Sequence, residues 1–199
     1  NLGPFVPDIY HIPYPDCYRC KNKSSNSGCN MECMGKLREL FNTIVPAEEV
    51  AAIFLEPIQG DSGIVVPPVE YIEELQNICK ENGILLVVDE VQSGFGRTGK
   101  WFASEYYGLE PDIIVLGKSI ASGMPLAAIV ARKEILESWS APAGSYSTSG
   151  NPICCAASLA TIDIIKEEDL VNKAEKLGDY IIERFEDMKK RHDLIGDIR

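Results

Sequence analysis

The chain has 199 residues, 45% of them hydrophobic and 25% charged, the balance of a globular protein with one good-sized domain or one and a fraction. A formal net charge of −11 argues against a nucleic-acid partner, because phosphate binding needs clustered Lys and Arg. No run of about 18 apolar residues is present to cross a membrane, and seven cysteines without a secretory segment point to the reducing cytoplasm rather than a disulfide framework.

Residues 1–33 are rich in Pro, Gly, Asn, Ser and Cys and read as loop. Met31, Met34, Leu37, Leu40, Phe41 and Ile44 follow with helical spacing, and Pro46 stops that helix. Residues 51–55 form a short apolar run ending in Glu56-Pro57 and read as a buried strand. A helix over 70–82 carries Ile72, Leu75, Ile78 and Cys79 on one face, with Gly83 placed as its C-cap. The continuous apolar runs at 84–88 and 112–116 suit parallel strands covered on both faces, and 126–131 is a further strand candidate. One closing helix starts at Asn151-Pro152, and the other runs over 168–191 with Leu170, Ala174, Leu177, Ile181, Phe185 and Met188 on one stripe. Alternation of strand and helix predicts an α/β fold with a mostly parallel sheet and helices on both faces. The chain opens on Asn1 and closes on Arg199 without a cap, so both ends are expected to continue in a longer polypeptide.

In such sheets chemistry sits at the carboxyl ends of the strands. Glu56, the Asp89-Glu90 pair and Lys118 each follow a predicted strand, which is the first sign of a site. A nucleotide-triphosphatase reading competes for the same region, since an apolar strand ends in Asp89-Glu90 and Gly94 to Lys100 fits G-x-x-x-x-G-K. It fails on two counts. Trp101 stands where a magnesium-holding Ser or Thr is needed, and the loop begins five residues after Asp89 instead of well before it. Lys118 lies in Leu-Gly-Lys-Ser after a buried strand, where Gly117 permits close approach of a ligand.

The ordered segments EPIQGDSG (56–63), LLVVDEVQSGFGRTGKW (85–101), PDIIVLGKS (111–119) and SGNP (149–152) resemble the class III aminotransferases, a family of pyridoxal-phosphate (PLP) enzymes that includes the ornithine, acetylornithine and 4-aminobutyrate enzymes. The resemblance is strong over about 50–165, and the chain looks most like archaeal 4-aminobutyrate aminotransferases and their racemase relatives, which share an early Cys-rich segment. It implies a fold-type-I PLP-dependent transferase, with 1–165 part of the PLP-binding large domain and 166–199 the start of the small one.

By the same resemblance, Lys118 aligns with the Schiff-base lysine that also moves the substrate proton, and Asp89 with the carboxylate beside the pyridine nitrogen. Val91 would pack on the ring face and Gln92 would contact the phenolic oxygen. Glu56 and Asp61 lie on the substrate side, Asp61 one methylene shorter than the Glu common there. Ser147, favoured by register, or Thr148 beside it would donate to the phosphate in a partner subunit, which implies a homodimer. The implied reaction moves an amino group between an amino acid or ω-amino acid and a 2-oxo acid such as 2-oxoglutarate. Two alternatives stand: a racemase of the same fold, and a non-catalytic fragment or zinc-bearing interaction module. A glycine-rich phosphate segment and a ring-stacking aromatic are expected before Asn1, and a carboxylate-binding Arg after Arg199.

Arg97 is expected to brace its loop through an ion pair, and His11 and His192 lie apart from every motif. Cys17, Cys20, Cys29 and Cys33 form C-x2-C-x8-C-x3-C, which suits a closed structural zinc site or a set of free thiols. Cys79, Cys154 and Cys155 fall in predicted helices as small buried hydrophobes.

Overall fold

The computed structural model describes residues 7–20, 31–140 and 146–199. Helix α1 spans Glu32–Thr43 and buries Met34 and Leu37, one turn apart on its inner face. Strand β1 (Ala52–Leu55) leads through a loop to α2 (Val69–Asn82), whose Tyr71, Ile72, Leu75 and Cys79 are buried. Gly83 ends α2 in the left-handed conformation (φ 69°), which glycine adopts without the steric cost of a Cβ. Strands β2 (Leu85–Asp89), β3 (Ile113–Leu116) and β4 (Ala128–Ala131) follow. The short α3 (Lys133–Leu136) is not marked by any periodicity in the sequence. Helix α4 (Pro152–Glu167) begins as expected: the Asn151 side chain accepts from the backbone N–H of Ile153 at 3.0 Å, and Pro152 occupies the first turn. Helix α5 spans Leu170–Lys189.

The sheet runs β1-β2-β3-β4. The β1–β2 and β2–β3 pairs are parallel, with Leu55 opposite Val88 and Val88 opposite Ile114. β4 returns antiparallel, pairing Leu116 with Ala128. The reason is connection length: residues 117–127 hold only a 3-10 turn, too short for the helical crossover that a parallel return needs.

Register and alternation sort the strand side chains onto two faces. Ile53, Leu55, Leu86 and Val88 join two clusters with the inner faces of α1 and α2. Ile114, Leu116 and Ala128 meet Ala157 of α4 in a third cluster on that same face. The other face carries Phe54, Val87, Asp89, Ile113, Val115 and Ile129. It is unevenly covered: Val87 is buried, whereas Phe54 is 75% exposed. The apolar stripe of α5 is open as well, with Leu177 and Phe185 exposed and no residue of that helix buried. No helix among the described residues is long and apolar enough to cross a membrane.

Candidate active site

The carboxyl ends of β1, β2 and β3 bring together six side chains that the sequence scatters over more than sixty positions. Glu56, Asp61, Asp89, Val91, Gln92 and Lys118 line one cavity of about 180 Å³. All the residues expected at the cofactor ring and on the substrate side are therefore neighbours.

Each is positioned by a local device. Asp89 ends β2, and its Oδ1 accepts the Val91 N–H at 2.9 Å. Among the described residues Oδ2 takes no hydrogen bond. Lys118 opens the 3-10 turn Lys118–Ala121 with φ 45°, a left-handed backbone that costs a residue with a Cβ about 1 kcal/mol. The buried Ile120 and Ala121 hold that turn in the third cluster. The Lys118 Nζ donates to Gln92 Oε1. Gly117 lets Val91 come close: a Cβ there would lie 3.2 Å from Val91 Cγ1.

On the substrate side, Gln59 and Val65 pair as an antiparallel bridge and present Asp61 on the loop between them. Glu56 Oε2 accepts the Gly60 N–H at 2.9 Å and fixes the start of that loop. Tyr14 donates its hydroxyl to the Glu56 carbonyl at 2.8 Å. Burial, then Tyr107, Tyr71 and Glu56, push the Tyr14 phenol above its usual range, so it stays a donor. Tyr14 carries no motif signal, and Gly60, although inside the 56–63 motif, was given no role there; the fold shows what both do.

Glu90 was legible as half of an acidic pair, but its role was not. It is fully buried, pointing away from the cavity. Its carboxylate accepts the Ser93 hydroxyl at 2.6 Å, the Ala103 N–H at 3.1 Å and the Ser104 N–H at 2.7 Å.

The other residues singled out in the sequence lie outside the cavity lining. Ser147 and Thr148 lie on an exposed turn and do not line the cavity. Arg97 is exposed and, among the described residues, makes no ion pair. Lys100 braces the loop instead, pairing with Glu175 of α5 at 2.9 Å, because Gly96 and Gly99 let α5 approach the backbone beside it. Of the zinc candidates, Cys29 lies outside the described residues. Cys17, Cys20 and Cys33 form no disulfide, and no cluster of three or more metal-ligating side chains occurs among the described residues. Cys33 packs against the core around Tyr71. Cys79 and Cys154 are buried, as expected of small hydrophobes, whereas Cys155 is only half-buried.

The donor set fits one end of PLP. A carboxylate suits a protonated pyridine nitrogen, an amine suits the aldehyde, an amide suits the phenolic oxygen and Val91 suits the ring face. The lining offers three carboxylates and one cation, so it holds nothing suited to a phosphate.

A sequence profile for aminotransferase class-III matches residues 1–199. The chain is 49% identical to the leucine/methionine racemase of Thermococcus litoralis over 96% of its own length and 43% of that protein. It is 38% identical to a probable 4-aminobutyrate aminotransferase of Bacillus subtilis over 100% of its length and 46% of that protein. Its fold superposes on an (S)-enantioselective omega-transaminase from Thermomicrobium roseum with a TM-score of 0.87 at 33% identity, covering 96% of this chain and 43% of that one. The chain thus spans less than half the length of the relatives it matches. Profile, identity and fold agree with the motif order and the strand-end cavity, and the chain belongs to the class-III aminotransferase family.

Proposed function

We propose that this chain supplies the cofactor-holding lysine of a PLP-dependent enzyme that transfers an amino group between an amino acid or ω-amino acid and a 2-oxo acid. The observation that carries the reading is the convergence of Lys118, Asp89, Val91 and Gln92 on one cavity at the strand ends. Bound PLP would supply a ring that withdraws electrons from the substrate carbon. Lys118 holds the cofactor through its amine, and in its free-amine form takes or returns the proton at that carbon. Asp89 presents its open carboxylate oxygen to the pyridine nitrogen and keeps it protonated. Gln92 orients the Lys118 amine, and Glu56 and Asp61 face the substrate. Ser147 and Thr148 would serve the phosphate in a partner's site, which fits their exposure here and implies a homodimer, and the cysteine usage places the enzyme in the cytoplasm. Residues 166–199 would begin a second domain, in keeping with the open stripe of α5.

A second reading is amino-acid racemisation by the same Lys118 and Asp89. It is favoured by one observation: identity is higher to the racemase, 49%, than to the 4-aminobutyrate aminotransferase, 38%.

The test uses the full-length polypeptide with PLP added, wild type beside Lys118→Ala. A visible absorption band that borohydride fixes in the wild type and that Lys118→Ala lacks is the expected result. No band in either protein would overturn the reading. Amino acid alone, followed by chiral chromatography, then separates the two activities: a racemase inverts it without a 2-oxo acid, whereas a transaminase needs one.

A further inference from the structure

We propose that Glu90 is a positioning residue for the cofactor site, acting through the turn that carries Asp89, Val91 and Gln92. The inference rests on the PLP reading above. It goes further by assigning a task to a side chain that touches neither the cavity nor anything bound in it.

Glu90 is where four constraints meet. Its backbone N–H extends the sheet by donating to the Val115 carbonyl at 2.9 Å. Its carbonyl accepts the Gly94 N–H at 3.0 Å and so closes the turn that holds Val91 and Gln92. A Cβ on Gly94 would lie 2.8 Å from that carbonyl, so the turn closes this tightly only with glycine there. The side chain then points into the protein and takes three donors, two of them the first N–H groups of the 3-10 turn Ala103–Tyr107.

A fully buried carboxylate is costly unless charge-assisted hydrogen bonds compensate it. Here they do, and the arrangement tolerates little movement. Strand alternation makes the consequence specific: with Glu90 locked inward, Asp89 at the end of β2 points to the opposite side, and Val91, tied to the Asp89 carboxylate, starts the turn on the cavity. Ser93, itself buried, ties the far end of the same turn to Glu90 Oε2. The direction of Gln92, and with it the contact to Lys118, is set between these two anchors.

The decisive variant is Glu90→Gln in the full-length protein. The amide keeps the shape but puts an NH2 group against a backbone donor. Leu75→Ala, in the α2 core away from the cavity, is the control for loss of stability alone. Both are tested below their melting temperatures for PLP affinity and for the pH midpoint of the visible band.

We expect Glu90→Gln to weaken PLP binding about tenfold or more, as loss of a supporting partner does at other bound groups. The band midpoint should shift by about half a pH unit, the scale of one hydrogen bond. Leu75→Ala should lower the melting temperature and leave both readouts in place. If Glu90→Gln also lowers only the melting temperature, Glu90 is merely structural and the proposal is overturned. If Glu90→Gln does not fold, Ser93→Ala takes its place. A smaller change in affinity and midpoint is then expected, and wild-type values of both would overturn the proposal. Failure of the PLP reading is separate: it shows as no band in the wild type, and it removes the proposal with it.

Discussion

A methyl group at Gly60 tests whether the loop bearing Asp61 controls the cofactor side of the cavity. An alanine Cβ there would lie 2.5 Å from Gln92 Nε2 and 2.7 Å from Gln92 Cδ. Regaining normal contact needs a displacement of about 1 Å. The colliding atoms are the far end of a flexible side chain, so Gln92 should swing aside and leave the place from which it would reach the phenolic oxygen of bound PLP. A hydrogen bond of this kind is worth about 1 kcal/mol, a factor of about five in an equilibrium constant. Gly60→Ala in the full-length protein is therefore expected to raise the PLP dissociation constant about fivefold, with a fall in melting temperature under about 2 °C. Titration of PLP followed by absorbance, beside a thermal melt, reads both. Unchanged PLP affinity with a drop of more than about 4 °C would refute the reasoning, because the backbone rather than Gln92 would then have absorbed the clash.

The same substitution at Gly99 should do the reverse. There φ is 89° and a Cβ would sit 2.9 Å from Glu175 Cβ and 3.0 Å from its Cα, so nothing flexible can yield. Gly99→Ala should cost about 2 kcal/mol or more by urea denaturation and leave PLP affinity within about twofold; unchanged stability would refute the packing of α5 on this loop. Burial, then Asp112, pushes the Cys79 thiol up to about 11 from 9.0. A raised folded-state pKa gives stability that is whole below about pH 9 and is lost as pH rises through about 11. Cys79→Ala should flatten the stability–pH curve over that window by roughly 2–3 kcal/mol, and a curve parallel to the wild type would refute this. Tyr71 and Tyr107, both pushed up to about 12 by burial, should continue the alkaline fall in both proteins.

The legible parts of the chain were those where one local rule acts alone. Gly83 ends α2 and Asn151-Pro152 starts α4 because capping is decided within a few residues. The apolar runs at β2 and β3 read correctly because both are inner strands of the sheet, with a neighbour on either side. α3 and the 3-10 turns were not read, since elements of three to five residues leave no period to detect. Arg97 misled because sequence does not say which cation of a loop meets a carboxylate from another element. Lys100 does so because two glycines admit α5 beside it.

Strand ends by themselves pointed to Glu56, the Asp89-Glu90 pair and Lys118, because an apolar run and the polar residue after it are local properties, and the resemblance of the ordered motifs added Val91, Gln92 and Asp61 to the same site. Tertiary structure decided how that site is held. The inward lock of Glu90, the Tyr14 hydroxyl on the Glu56 carbonyl and the fit of Gly60 under Gln92 each join segments far apart in the chain. Such contacts depend on packing distances of a few tenths of an ångström, and no periodicity or spacing along the sequence encodes them.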